Sequence, residues 1–350
     1  MSSRKIKAVV VDDSNFMVTI IKDILESHDA IEVVGTGMNG LDALNLNDRK
    51  NPDVILMDIE MPEMDGLTAV KRIMEENPTP VVIVSGKSDR SNKMAVKALE
   101  AGAVEFVAKT SGSLSMDIRK KSDEIINKTL NAAEIDLRYF KVDAKKKVGN
   151  KFKPQRYKNH LIVVASSTGG TRALDSFLSI LPQNFPVPII IVQHMPEEFT
   201  RYLASTLNSK LDITVKEAEN KEAIETNHIY IIPSGLHGFI KSGNDKNRIS
   251  LKKKPKLHGV RPSADYLFRS AAEIYQDRLI GIVFTGMGKD GAEGARIIKN
   301  NRGYIAVQDE KSSVVYGMPK MTKDKAGYDF EGTPEMIGEK IVEIFTEEQF

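Results

Sequence analysis

The sequence predicts an α/β protein of two domains in series, each a mainly parallel sheet doubly wound by helices. Three observations lead there. Short β-branched runs alternate with amphipathic stretches along most of the chain, which is the pattern of successive βα units. At 350 residues the chain exceeds one ordinary compact core. Residues 141–158 interrupt the alternation with eight Lys or Arg against a single acid, Asp143, and are broken by Gly149 and Pro154 without any apolar period. They read as a solvated linker.

In the first series, strands are placed at 8–11, 31–34, 54–57, 81–84 and 104–107, with helical periodicity between them, as at 18–25 and 67–76. Five strands by about residue 130 make one small domain. The second series has strands at 161–164, 189–192, 229–232, 279–284 and 304–307. The expected division is a domain over 1–130, a linker over 131–157 and a second domain over 158–350.

Composition narrows the chemistry. There are no cysteines, which removes disulfides, thiolate metal sites and a cysteine nucleophile. The apolar fraction of 41% and charged fraction of 28% are those of a soluble globular chain. Met1 to Lys7 lack the apolar core of a secretory signal, and the apolar run at 188–192 is too short to span a bilayer, so no membrane insertion and a cytoplasmic location are expected. A formal net charge of +2 gives no general attraction to nucleic acid. The basic linker carries no helix-turn-helix or aromatic stacking pattern either, so no nucleic-acid partner is expected.

In parallel α/β sheets, working residues sit in loops at the carboxyl ends of strands. In the first domain those ends carry Asp12-Asp13, Asp58, Ser85 and Lys109. Singly, such acids read as caps and loop solubilisers. Together, three converging carboxylates call for a hard cation, and Mg²⁺ suits an all-oxygen site. Asp58 can then attack a phosphoryl group, with Mg²⁺ and Lys109 balancing the oxygen charge and Ser85 offering a hydroxyl.

In the second domain the strand at 161–164 runs into Ala165-Ser166-Ser167-Thr168-Gly169-Gly170 and a helix from Thr171 to about Leu181. A serine on such a turn faces free N–H groups and the positive end of a helix. The same turn could cradle a phosphate, although no Gly-Lys-Ser/Thr follows. Two further strand ends, Gln193-His194-Met195-Pro196 and Thr285-Gly286-Met287-Gly288-Lys289-Asp290-Gly291, allow a serine, His194 as general base and Asp290 as its orienter to meet. Ser166 reads as a turn residue or helix N-cap, and Asp290 alone would pass for a turn residue. Of the other histidines, His28, His160 and His228 read as surface residues, while His237 and His258 lie in loops that can approach the site.

The run from Met57 to Gly66 with the five ordered strand-end residues resembles the receiver domain of two-component response regulators over roughly residues 4–125. The resemblance implies Asp58 as phosphoacceptor and Asp12, Asp13, Asp58 and the Glu60 carbonyl as Mg²⁺ ligands. It also implies Phe106 as an aromatic switch. Receivers usually follow the lysine with proline; here Thr110 stands there. The second domain, with Arg261-Pro262-Ser263-Ala264-Asp265 and the run 313–319 besides its three strand ends, resembles the chemotaxis protein-glutamate methylesterases over about 158–345. That implies Ser167 as nucleophile, His194 as base, Asp290 as orienter and the Met287 N–H as an oxyanion donor. It further implies hydrolysis of glutamate methyl esters on methyl-accepting receptors, deamidation of receptor glutamines, and a chemotaxis histidine kinase as phosphodonor, with no cofactor in the catalytic domain. The family usually has Gly-Ala where Ala165-Ser166 stands and Asn where Lys289 stands; Lys289 is expected in solvent. The competing reading is a catalytically weak regulator that binds receptor or kinase, and a phosphate- or nucleotide-binding second domain is the other.

Overall fold

A computed structural model of the chain describes residues 4–86, 88–109, 115–135, 137 and 159–346. It divides into two compact units, Met1–Phe140 and Lys141–Phe350. Most of the expected linker, and Thr110, lie outside the described residues.

The first unit holds strands β1 (Ile6–Val11), β2 (Ile31–Gly37), β3 (Val54–Met57), β4 (Val81–Ser85) and β5 (Glu105–Ala108). Between and after them run helices α1 (Asn15–Glu26), α2 (Gly40–Lys50), α3 (Gly66–Glu76), α4 (Asp89–Ala101) and α5 (Ser122–Ala133). The five strands are parallel in the order β2-β1-β3-β4-β5. β3 and β4 are buried along their whole length, because helices cover both faces of a parallel sheet and leave no side for polar residues. Side-chain caps mark the helix starts: Ser14 accepts from the Met17 N–H, and Asp65 from the Thr68 N–H.

The second unit holds β6 (Leu161–Ser166), β7 (Ile189–Gln193), β8 (Thr214–Glu217), β9 (His228–Ile231), β10 (His237–Lys241), β11 (Arg248–Lys252), β12 (Leu279–Val283), β13 (Tyr304–Gln308) and β14 (Phe330–Gly332). Its helices are α6 (Gly170–Ile180), α7 (Phe199–Lys210), α8 (Ala264–Tyr275), α9 (Ala292–Asn300), α10 (Met318–Ala326) and α11 (Pro334–Thr346). Seven strands form a parallel sheet in the order β14-β13-β12-β6-β7-β9-β8, and β10 and β11 pair as a separate antiparallel hairpin. The fold class is therefore the one expected, with four strands that lack a long apolar run (β8, β10, β11 and β14) added to the five foreseen. Every residue of β6, β7 and β12 is buried.

Both sheets reverse direction at one point. In the first, the chain winds from β1 out to β2 and then returns to β3 on the other side of β1. In the second it winds from β6 through β7 and β9, then returns to β12 on the other side of β6. At such a switch, neighbouring loops diverge to opposite faces and leave a crevice at the carboxyl ends of the strands. The crevice of the first unit lies between Asp12 and Asp58, and that of the second between Ser167 and the loop after β12.

Candidate functional site

The crevice of the second unit is built backbone first. The Ser167 N–H donates to the Thr285 carbonyl at 3.0 Å, and the His194 N–H to the Ser166 carbonyl at 3.0 Å, so three strand ends are fastened side by side. Close approach demands glycine here: a Cβ on Gly286 would run into the Met318 sulfur and stand 2.7 Å from the Ser167 Cβ. Gly169, at φ +76°, caps α6.

Histidine and aspartate meet as the sequence predicts. His194 Nε2 lies 2.9 Å from an Asp290 carboxylate oxygen. Asp290 is only 2% exposed. Its oxygens also accept from the Ser263 hydroxyl at 2.6 Å, the Ala264 N–H at 2.7 Å and the Asp265 N–H at 3.3 Å. Burial pushes the Asp290 carboxyl up, but the bonds from His194, Ser263 and Ala264 outweigh it and hold the group below its usual value. Ser167 is half-buried in the turn directly after β6, beside the end of β7 that leads into His194. Beside His194 and Asp290 opens a cavity of about 530 Å³ whose walls include Val260, Met287, Met321 and His258. Ser167 stands outside that lining.

Lys289 also lines this cavity; it is exposed and makes no ion pair among the described residues, as expected of a lysine in solvent. Met287 projects its side chain outward, 53% exposed, on the Gly286-Met287-Gly288 turn. The run Lys252 to Lys256 is exposed, as a solvated loop should be, with Lys254 Nζ 5.0 Å from the Phe239 ring centroid.

Three readings of the sequence need correction. Ser166 is neither a turn residue nor an N-cap: it is the last residue of β6, fully buried, and donates to Gln193 Oε1 at 2.6 Å. His28, His160 and His228 are each partly buried rather than at the surface, and the His160 ring lies edge-on to the buried Phe345 of α11 at 5.5 Å. His237 opens β10 and is wholly buried, with Nδ1 accepting from the Ser263 N–H at 3.1 Å and Nε2 3.0 Å from the Pro255 carbonyl. Both do approach the site, His237 through Ser263 and His258 at 2.9 Å from Asp265.

Sequence reasoning passed over Ser263, the buried hydroxyl that fixes Asp290. A serine directly before an apolar helical run was its available signal. Ser263→Ala removes a hydrogen bond to a charged group, ordinarily worth about 1.5–3 kcal/mol. Since the folded carboxyl is held low, its stabilisation is complete above the ordinary carboxylate range and is lost as pH falls through the folded value. The variant should melt below wild type at about pH 7, and the gap should narrow at about pH 3. An equal gap in thermal melts at both values would mean that Ser263 does not act through the Asp290 charge.

In the first unit, Asp12, Asp13 and Asp58 bring carboxylate oxygens within 4.8 Å of one another. Lys109 Nζ bridges two of them, 2.7 Å from Asp12 and 2.5 Å from Asp58. Burial pushes Asp58 up to about 6, against the pull of Lys109 and with a further push from Asp12. The Asp12 carboxyl is likewise raised by burial. Ser85 is fully buried, and its hydroxyl has no hydrogen-bond partner among the described residues. Glu60 follows in the next turn, its side chain 3.7 Å from Arg90. Phe106 is buried beneath Lys128, whose Nζ lies 5.4 Å from the ring centroid and donates to the Phe106 carbonyl. An all-oxygen set with excess negative charge and one unanswered hydroxyl fits a hard divalent cation and a phosphoryl oxygen.

Comparison with known proteins decides the family. Residues 162–341 match the CheB methylesterase family, and residues 8–117 the response regulator receiver domain. The chain belongs to the CheB methylesterase family. A protein-glutamate methylesterase/protein-glutamine glutaminase of Thermotoga maritima is 40% identical over 344 residues, 98% of this chain and 100% of that protein. A protein of the same name from Halalkalibacterium halodurans is 41% identical over 346 residues, 98% of this chain and 99% of that one. The crystal structure of the Thermotoga maritima CheB methylesterase catalytic domain superposes with a TM-score of 0.52 at 42% identity, over 53% of this chain and 98% of that one. As a CheB-family methylesterase with a receiver domain, the chain is an enzyme of a chemotaxis pathway. No helix among its described residues is long and apolar enough to cross a membrane.

Proposed function

We propose that this enzyme hydrolyses glutamate methyl esters on methyl-accepting chemotaxis receptors through Ser167, His194 and Asp290, under control of phosphorylation at Asp58. The carrying observation is the His194–Asp290 pair of 2.9 Å set beside Ser167 at the switch crevice. With Nε2–H given to Asp290, His194 Nδ1 is the nitrogen left to take a proton. Ser167 Oγ then attacks the ester carbonyl while its proton passes to His194. The C–O bond to the methoxy group breaks, and His194 returns the proton so that methanol leaves. Water repeats the sequence on the acyl-serine and frees the glutamate. The Met287 N–H and the first turn of α6 are suited to stabilise the oxyanion. A receptor glutamine passes through the same tetrahedral species, with ammonia leaving in place of methanol. The saturated hydrogen bonding of Asp290 favours this reading over a regulator without turnover, since a carboxylate held by four donors is fixed for orienting a histidine.

In the receiver unit, Asp12, Asp13, Asp58 and the Glu60 carbonyl would hold Mg²⁺, which would supply positive charge to phosphoryl oxygens. Asp58 takes the phosphoryl group from a chemotaxis histidine kinase, Lys109 steadies its oxygens, and the Ser85 hydroxyl donates to the product. The proposed setting is the cytoplasm, where kinase and receptor domains are accessible.

The test is methanol release from methylated receptor, with and without acetyl phosphate. Turnover that rises with the phosphodonor is expected; none in either condition defeats the proposal. Residues 1–140 are expected to be the sole source of the response. A chain lacking them should still release methanol but ignore acetyl phosphate, and a retained response would place regulation elsewhere.

A further inference from the structure

Ser166 and Gln193 are buried polar residues that the Ser-His-Asp chemistry leaves unused. They are 0% and 2% exposed. Ser166 Oγ donates to Gln193 Oε1 at 2.6 Å, and Gln193 Nε2 donates to the Ser167 carbonyl at 2.9 Å and the His194 carbonyl at 3.1 Å. A glutamine amide has two N–H donors and one carbonyl acceptor. Here both donors and the acceptor are engaged, and the two receiving carbonyls fix which way round the amide lies.

The location matters as much as the bonds. Ser166 and Gln193 are the last register pair of β6 and β7. Beyond them the strands diverge into the two loops that carry Ser167 and His194, and the Gln193 side chain continues the cross-link where the ladder stops. Gly170 lets the first turn of α6 close over the amide, since a Cβ there would collide with Gln193 Oε1 and stand 2.8 Å from the Ser166 Cβ.

We propose that Gln193 is a positioning residue that sets the separation of nucleophile and base, with Ser166 holding its amide in place. This rests on the reading of Ser167 and His194 as that pair. In an apolar interior an amide tied at three points has no water to exchange partners with, so the link is stiff. Its loss leaves the two loops held only by the backbone bonds from Ser167 to Thr285 and from His194 to Ser166, and small misplacements of reacting groups cost rate without costing substrate affinity.

The experiment measures methanol release from methylated receptor by full-length wild type, Gln193→Leu and Ser166→Ala, per active site titrated with a serine-reactive phosphonate, with Ser167→Ala per mole of protein as the background. Gln193→Leu is expected to lose about 100-fold in kcat, the usual consequence of a displacement near 1 Å, with KM within about threefold. Ser166→Ala, which removes one anchor of three, should lose about fivefold in kcat at unchanged KM. A purely structural role would lower the melting temperature and leave kcat per titrated site unchanged, and that result overturns the proposal. A rise in KM alone overturns it as well. If Gln193→Leu does not fold, Ser166→Ala decides by the same split. Wild type without methanol release would defeat the esterase reading, whereas wild-type turnover matched by both variants defeats the positioning role alone.

Discussion

Ser167→Ala is expected to lose nearly all methanol release, whereas Ser166→Ala keeps at least about a tenth of wild-type turnover, a barrier change of ~1.4 kcal/mol or less. The two serines are adjacent, but the strand end separates them. Ser166 points into the core and gives its hydroxyl to Gln193, while Ser167 stands half-buried beyond the last strand bond, before the first turn of α6. A developing oxyanion needs the N–H groups and dipole found there. Without the Ser167 hydroxyl, what is left is the rate that binding and the oxyanion site supply, on the order of 10³–10⁴ over water in other serine hydrolases. Methanol release by both variants, with circular dichroism to check folding, is the measurement. An inactive Ser166→Ala with an active Ser167→Ala would place the nucleophile one residue earlier.

Asp58→Asn should abolish phosphorylation by acetyl phosphate, and chelation of divalent cations should abolish it in the wild type. Asp58 directly follows β3 at the switch crevice, its N–H bonded to the Val11 carbonyl at 2.9 Å and its carboxylate on Lys109. An amide in its place is a far weaker nucleophile. The fold should survive, because the substitution removes one of two buried like charges and leaves Lys109 paired with Asp12 at 2.7 Å. Radiolabel persisting in the variant at the wild-type level would remove Asp58 as acceptor; labelling unaffected by chelation would remove the cation. A readout of both on the intact chain also separates a failed acceptor from a misfolded unit.

The sequence by itself determined the two parallel sheets, and it pointed to the strand ends where Asp12, Asp58 and Lys109 meet and where His194 meets Asp290. Strands buried on both faces are continuous apolar runs, so a polar residue at the end of one stands out against its neighbours. The strands β8, β10, β11 and β14 were not legible because edge and hairpin strands are half-exposed and alternate in polarity, as in the DITVKEA and NRISLKKK regions. Tertiary structure alone decided what surrounds the chemistry. It showed that Ser263 and the Ala264 N–H hold Asp290, that His237 is a core residue braced against Ser263, and that Ser166 serves Gln193 and does not cap α6. Each of these contacts joins residues about 26 or more positions apart. A local window records residue type and period, but it does not record which distant donor answers a buried acceptor. That pairing is settled only when the strands are laid side by side and water is excluded, at which point every buried polar group must find its partner within the fold.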